Sequence, residues 1–258
     1  MITGLYASAS GMLAQASRNE AIANNLANVS TVGFKQDTAV LGQQPVQILH
    51  RLSDNLAYFD AFTADLAPVV GGRGQGTVVE SIVPNFKQGQ FMETGSKFDF
   101  GLQGEGFFLI QTPRGRRYTR AGNFTLDGKG RLVTMSGDTV LTATGAEIIV
   151  GDKKFEVNRS GIIFLDGVEA GRLGVVNPED AAMLVKEGES LFAPVPGSRF
   201  RATEAGVSQG TLERSNVNPM MGMAEMLEAL RSYEANQRAI IAQDETLGKL
   251  IDEVGRFG

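Results

Sequence analysis

The chain has 258 residues, of which 42% are hydrophobic and 21% charged, a composition that fits a folded protein with a core. Its net charge of −5, without clustered Lys and Arg, argues against nucleic acid as a partner. The sequence contains no run of about 18 apolar residues, so no membrane-spanning helix is predicted. The first residues lack the basic and apolar blocks of a cleaved signal peptide. The absence of Cys excludes disulfides and thiolate metal sites.

Residues 3–27 are predicted to form a helix that ends near residues 28–30. Apolar residues recur there with alternating spacings of three and four, which is typical of a narrow apolar seam. Ala occupies many of the other seam positions, so a partner helix could approach closely. The larger seam residues, which we expect at an assembly interface, are Leu5, Met12 and Leu26.

Residues 31–206 change to a pattern that is not helical. Residues 36–78 favour no particular structure, and the Gly-rich residues 71–76 predict a flexible break. From residue 81 onward, short apolar runs alternate with turn residues, which predicts an all-β region with antiparallel pairing. The clearest predicted strands are residues 107–110, 118–120, 123–126, 131–135 and 162–164. The predicted turns between strands are residues 127–130, 136–138 and 158–161.

A second, longer helix is predicted to begin at Asn218 and Pro219, because Asn is a strong N-cap and Pro fits the first helical position. It extends to about residue 254, which at 1.5 Å per residue makes it about 54 Å long. Its seam again alternates spacings of three and four, which predicts packing against another helix. The apolar seam residues expected at an assembly interface are Met223, Met226, Leu230, Tyr233, Ile240, Leu247 and Ile251.

The predicted fold class is therefore α+β, with N- and C-terminal helices that pair as a coiled-coil-like layer and a central, mostly antiparallel all-β domain. The predicted divisions are an assembly helix at residues 1–30, an extended linker at 31–80, a β-rich outer domain at 81–206 and a C-terminal segment with the long helix at 207–258. Amphipathic helices of this kind are marginally stable alone. The pattern leaves two alternatives open: the helices pair within one chain, or they pair with helices of other subunits.

Three Asn residues, Asn24, Asn25 and Asn28, lie near the end of the first helix. Such residues often cap helices and form loops. Because three Asn in five residues exceed what one cap requires, the alternative is that their amides bond neighbouring subunits. A Met cluster at residues 220–226 suits a core or adaptable packing.

No catalytic, cofactor or metal site is predicted. Gly104 and Gly106 lack the third Gly of a dinucleotide fingerprint and precede a strand, so they are expected to form turns. Asp127 and Asp138 lie in predicted turns without the twelve-residue loop of a calcium site. His50 is the only His in the sequence and cannot supply a typical multi-His metal site.

Three stretches, in order along nearly the whole chain, closely resemble the bacterial flagellar rod and hook family. The first is residues 19–28 (NEAIANNLAN) followed by residues 31–35 (TVGFK). The second is residues 102–108 (LQGEGFF) with residues 118–124 (YTRAGNF). The third is residues 209–218 (QGTLERSNVN), which lead into a helix that carries YEANQ at residues 233–237.

The resemblance implies a non-enzymatic axial subunit that is exported unfolded, without a cleaved signal peptide, and polymerises as a helical tube beyond the inner membrane. It implies that the terminal helices form the inner layer and the β domain faces outward. The implied partners are other copies of this chain, other rod proteins, the flagellar export apparatus and the surrounding ring proteins. The length resembles that of rod rather than hook subunits. Pro219 after residues 215–218, with Met223 and Met226 following, more closely resembles a proximal-rod type that joins the distal rod. Residues 24–28 and 233–234 suit the distal-rod protein at least as well.

Two other classes of protein are weighed against a rod subunit. A β-rich binding or adhesion module with a helical stalk would bind a definite ligand without its terminal helices. An enzyme that trims peptidoglycan would need a positioned carboxylate pair or a metal, and the sequence contains no motif for either.

Overall fold

The computed structural model describes residues 2–50, 69–188, 190–203 and 205–255. Within these residues the chain forms two helices, α1 (Ile2–Ala27) and α2 (Pro219–Gly255). It divides into two compact units. The first unit takes the described residues of Met1–Ala23, Thr38–Ile82 and Met223–Gly258, and the second takes those of Asn24–Asp37 and Val83–Gly222.

Between the helices lie short strands and one 3-10 turn at Ala181–Met183. The described strands are β1 (Asp37–Gln43), β2 (Gln47–His50), β3 (Val69–Arg73), β4 (Thr77–Pro84), β5 (Phe91–Glu93), β6 (Phe100–Gln103), β7 (Phe107–Thr112), β8 (Gly115–Thr119), β9 (Phe124–Leu126), β10 (Leu132–Thr134), β11 (Thr139–Val140), β12 (Phe155–Val157), β13 (Ile162–Leu165), β14 (Val168–Arg172), β15 (Val175–Pro178), β16 (Leu184–Glu187), β17 (Leu191–Pro194), β18 (Phe200–Ala202), β19 (Gly206–Gln209) and β20 (Thr211–Glu213). The predicted α+β class is confirmed.

The first unit contains most of α1 and α2, which run antiparallel. Near one end, a Cβ added to Gly4 would lie 2.7 Å from the Gln243 side chain, and one added to Gly11 would lie 2.9 Å from that of Asn236. Further along, the guanidinium of Arg18 lies 3.8 Å from a carboxylate oxygen of Glu228 on α2. The helices of one chain therefore pair with each other, and Gly at two positions permits the close approach.

The first unit also contains two ribbons, one formed by β1 and β4 and the other by β2 and β3. In the second ribbon, Gln47 pairs with Arg73 and Ile48 with Gly72. The predicted flexible break at residues 71–76 is thus wrong for its first half, where β3 continues as far as Arg73. Strand pairing overrides the low strand propensity of Gly there.

The second unit is built on a nine-stranded antiparallel sheet with the order β16-β17-β8-β7-β11-β10-β9, in which β15 pairs with β7 and β18. Smaller sheets join β12-β13-β14, β19-β6 and β20-β5. Hairpins form at the predicted turns: Gly130 donates to the Asp127 carbonyl, at 2.9 Å, and Gly137 to that of Thr134, at 2.9 Å. Both glycines have positive φ, as such turns require.

Strand β7 explains why the second unit has two hydrophobic clusters. Its alternate side chains Phe107 and Leu109 enter one cluster, and Phe108 enters the other. A strand buried on both faces reads as a continuous apolar run, which is what residues 107–110 show. Phe107 contacts Phe192 with ring centroids 5.4 Å apart, and Phe108 contacts Phe124 at 5.2 Å.

Neither described helix is long and apolar enough to cross a membrane.

Candidate functional site

The segments that flank the two helices meet the β domain at one buried point of the second unit. Lys35 follows α1, Arg120 follows β8, and Glu213 ends β20. These three side chains are respectively 2%, 4% and 1% exposed. We call this cluster of Lys35, Arg120 and Glu213 the junction.

Glu213 is the centre of the junction. One carboxylate oxygen accepts from the Lys35 ammonium at 2.7 Å and from the Gly89 backbone N–H at 2.7 Å. The other accepts from Nε of Arg120 at 2.5 Å. A buried carboxylate is tolerated only when it is paired and hydrogen-bonded in this way.

Arg120 also holds the loop that precedes β7. Its terminal nitrogens donate to the carbonyls of Leu102 at 2.7 Å, Gly104 at 2.6 Å and Gly106 at 2.5 Å. The two glycines have φ of +103° and +153°, so the loop turns its carbonyls toward the guanidinium without a Cβ clash. Gly104 and Gly106 are turn formers, as the sequence predicted.

Gly33 and Asn216 fix the polypeptide around the junction. Gly33 has φ of +67°, and a Cβ there would overlap the backbone at Ala121. Its N–H donates to the backbone carbonyl of Glu213 at 2.8 Å. Asn216 accepts from the backbone of Gln36 at 2.8 Å, and its amide nitrogen donates to the carbonyl of Asn85 at 2.8 Å. Segments far apart in sequence are thereby tied by backbone-directed bonds.

A second ion pair lies beside the junction. The Lys186 ammonium lies 2.8 Å from the Asp37 carboxylate and 3.6 Å from the centroid of the Phe34 ring. Burial lowers the pKa of Lys186, and the bond to Asp37 partly offsets this. Burial likewise lowers the pKa of Lys35, which Glu213 partly offsets. Both ammonium groups are therefore held in place at a desolvation cost.

Contacts outside the junction, but also within the second unit, hold the ends of the helices. Asn25, in the last turn of α1, is 3% exposed; it donates to the Asp37 carbonyl and accepts from the Asp37 N–H, both at 2.7 Å. A Cβ on Gly222, in the first turn of α2, would lie 3.5 Å from Leu26. Asn218 caps α2, because its side-chain oxygen accepts from the N–H of Met220 at 3.1 Å. The last turn of α1 and the first turn of α2 are thus neighbours in the second unit.

The remaining predicted interface residues of α1 differ in exposure. Leu5, Met12 and Leu26 are half-buried, and Asn24 is exposed. Asn28 is half-buried and bonds locally, since its amide donates to the Asn24 carbonyl at 2.9 Å.

The predicted seam of α2 divides into two alternating sets. Met226, Tyr233, Ile240 and Leu247 are half-buried. Asn236 and Gln243 lie close to α1. Tyr233, Ile240 and Leu247 are three or four residues from one of them, and Met226 is seven residues before Tyr233. This spacing places the half-buried set on the side of α2 that meets α1. The other set is exposed: Met223, Leu230 and Ile251 have exposed fractions of 56%, 42% and 70%.

Lys35, Arg120 and Glu213 lie within the three family-like stretches of the sequence, but they are not among the predicted site residues. The sequence feature that could have identified them is a charged residue next to apolar residues or Gly in each stretch.

In the structure, Asp127 accepts from the backbone and guanidinium of Arg131, as a turn residue does. No group of three His, Asp or Glu residues that could hold a metal occurs among the described residues. His50 lies in β2, but its side chain is outside what the structure describes.

Three family models match segments of the chain in the same order as the signatures. Residues 5–35 match the model "Flagella basal body rod protein". Residues 101–165 match "Flagellar hook protein FlgE/F/G D1 domain", and residues 208–253 match "Flagellar basal body rod FlgEFG protein C-terminal". Each matched segment contains one member of the junction.

Whole-chain relatives agree with these models. The flagellar basal-body rod protein FlgG of Buchnera aphidicola (subsp. Schizaphis graminum) is 33% identical over 97% of this chain and 99% of its own. FlgF of Rhizobium meliloti, another flagellar basal-body rod protein, is 31% identical over 99% of each chain. FlgF of Caulobacter vibrioides is 29% identical over the whole of both. The chain belongs to the flagellar basal-body rod protein family and is a structural subunit of the rod, not an enzyme.

Proposed function

We propose that this subunit assembles through its terminal helices into a helical tube that transmits motor torque and joins other axial proteins. In this proposal the helices form the inner layer of the tube, and residues 81–206 form an outer domain. The tube lies beyond the inner membrane, in the periplasm. The subunit reaches it through the flagellar export apparatus, without a cleaved signal peptide, and lies against the surrounding ring proteins.

The observation that carries the proposal is the two-sided character of α2. One side meets α1 of the same chain, yet large apolar side chains remain exposed on other sides. Met223, Leu227 and Leu230 follow one another at spacings of four and three and are 56%, 58% and 42% exposed. Exposed apolar side chains that recur at helical spacing are typical of a surface that a further helix covers.

Helix α1 has a corresponding exposed set. Tyr6 and Leu13, seven residues apart and therefore on one side of the helix, are 70% and 71% exposed. Each helix thus packs against the other helix of the same chain on one side and exposes apolar side chains on a second side, where a helix of another subunit can pack. Two such helices can join neighbours on both sides, which a continuous helical layer requires.

For the position along the rod, we propose the proximal-rod type that joins the distal rod. This proposal is supported by Pro219, which directly follows residues 215–218 (SNVN), as in the proximal-rod type. Other parts of the sequence resemble the distal-rod protein. Met220 and Met221, which are 81% and 64% exposed, would suit such a place, because Met adapts to neighbours that are not identical.

The experiment is complementation of a strain that lacks this gene by exposed-face variants. We expect Leu13→Gln combined with Leu230→Gln to be exported but to leave cells non-motile, since both side chains are exposed and their loss should spare the monomer. The matched control is Glu20→Gln, an exposed change on α1 without apolar loss. Full motility with normal basal bodies in the double variant would overturn the proposal.

A further inference from the structure

A cavity of about 360 Å³ in the second unit opens onto the junction. Lys35 and Arg120 line its interior, and the aromatic side chains of Phe86 and Phe107 form part of its wall. Charged side chains at its exposed rim include Lys87 and Arg201. The cavity is therefore apolar along its wall and cationic at its base.

The charges at the base of the cavity are incompletely neutralised. Lys35 and Arg120 share the one carboxylate of Glu213, so the junction keeps one net positive charge. The rim adds two basic side chains, Lys87 and Arg201, and two acidic ones, so the surplus remains. Burial lowers the pKa of Lys35 despite its bond to Glu213, as expected for an ammonium that one shared carboxylate compensates only partly.

The two buried cations also retain donor capacity. The hydrogen bonds of the described residues use two of the three N–H groups of Lys35, to Glu213 and to the Lys87 carbonyl. They use four of the five N–H groups of Arg120. Each cation therefore retains one N–H group that these hydrogen bonds do not use, and both residues line the cavity.

We propose that this cavity binds a carboxylate carried on a short apolar stem. The cations and their remaining donors at the base would receive the carboxylate, and the Phe86 and Phe107 rings would cover the stem. The single surplus positive charge matches one carboxylate, whereas a doubly charged phosphate would leave the cavity with a net negative charge. The carboxylate belongs either to an acidic side chain of a neighbouring subunit or to a free small molecule.

The test uses butyrate as the probe, with butyramide as its neutral isostere, on the isotopically labelled full chain at constant ionic strength. We expect butyrate to shift the Gly106 amide resonance saturably, with a dissociation constant of roughly 1 mM for so small a ligand. Butyramide should produce no saturable shift. Equal responses to the two probes, or no saturation by butyrate, would overturn the proposal.

A matched pair of variants locates the binding. Ala181 lines the cavity and its neighbour Ala182 does not, although both are exposed. Ala181→Leu should weaken butyrate binding at least ten-fold, and Ala182→Leu should leave it unchanged. If Ala181→Leu perturbs the fold, Arg201→Gln replaces it, with an expected loss of several-fold. Butyrate binding that neither Ala181→Leu nor Arg201→Gln weakens contradicts the assignment.

Sedimentation of the wild-type subunit with saturating butyrate then identifies the source of the carboxylate. If butyrate, but not butyramide, weakens self-association, an acidic side chain of a neighbouring copy occupies the cavity. If self-association is unchanged while butyrate binds saturably, the site takes a free carboxylate. Because the titration uses the isolated subunit, its result does not depend on whether the terminal helices build the tube.

Discussion

Replacing Glu213 by Gln is expected to destabilise the second unit strongly. The change preserves the size of the side chain but removes the one negative charge that Lys35 and Arg120 share. Gln also presents one amide N–H₂ group where Glu213 offers a second acceptor oxygen. Two buried cations then remain without an anion, at sites that are 2% and 4% exposed.

Removing one partner of a buried ion pair typically costs about 3–5 kcal/mol. The upper half of that range applies here, because the carboxylate accepts three hydrogen bonds of 2.5–2.7 Å. With a urea m-value of about 3 kcal/mol/M, a loss of about 4–5 kcal/mol lowers the denaturation midpoint by roughly 1.3–1.7 M. Adding Lys35→Met removes one uncompensated cation. The double variant should therefore be more stable than the sum of its single changes predicts, by about 1–3 kcal/mol.

The assay is urea denaturation with hydrogen exchange read at the β20 and β6 amides, because a chain of two units need not unfold in one step. The control is Glu93→Gln, an exposed residue of β5 that pairs with Thr211 of β20. Its midpoint should move by less than about 0.2 M, as for an ordinary surface change. Equal shifts for Glu213→Gln and Glu93→Gln would refute the reasoning.

Gly33→Ala should lower the free energy of unfolding by more than about 2 kcal/mol in the same denaturation assay, because Gly33 has a positive φ and its Cβ would overlap the backbone. The control Gly95→Ala should lower it by only about 1 kcal/mol, because Gly95 has φ of +71° but open space around it. Gly11→Leu should separate α1 from α2 and speed hydrogen exchange of their amides, and Gly248→Leu, where the space is open, should not. Backbone and guanidinium bonds from Arg131 lower the pKa of Asp127 below its ordinary 3.8. Its stabilisation is therefore present above that pKa and lost as pH falls through the lower folded value. A carbon-detected NMR titration should show the shift, and Asp127→Asn should remove that part of the acid dependence of stability.

The helices and hairpins were predictable from the sequence because local signals determine them. Asn218 and Pro219 mark the start of α2 through capping and a fixed φ, and the helix does begin at Pro219. The turn at residues 127–130 needs Asp and a Gly with positive φ within four residues. Signals of this kind act over one or two turns and depend little on residues far away in the sequence.

The ribbons of the first unit escaped prediction for the opposite reason. β3 contains two adjacent glycines, which lower strand propensity, and these glycines pair with residues of β2 that are more than twenty positions away. Likewise, the seam of α2 was visible, but not its division between a side that meets α1 and a side that stays exposed. That division depends on where α1 packs against α2, and the apolar spacing of α2 alone does not determine this.

The junction could not be derived from spacing, because Lys35 and Glu213 are 178 positions apart in sequence. Taken singly, each charged residue of the junction would be expected to lie on the protein surface. What the sequence did contain was three family-like stretches, and the structure places one junction member at or beside each. The stretches adjoin one another because a single buried cluster needs all three.

A buried ion cluster is weak evidence for stability, since apolar residues of similar volume often do as well. Its particular property is directionality: each oxygen of Glu213 has defined donors, and the guanidinium of Arg120 also donates to three backbone carbonyls. Apolar side chains would pack in several orientations at similar free energy. We infer that the junction serves to fix one arrangement of the helix ends against the β domain within the second unit. A subunit that transmits torque needs such an arrangement, because a joint with several orientations of similar energy would turn under load.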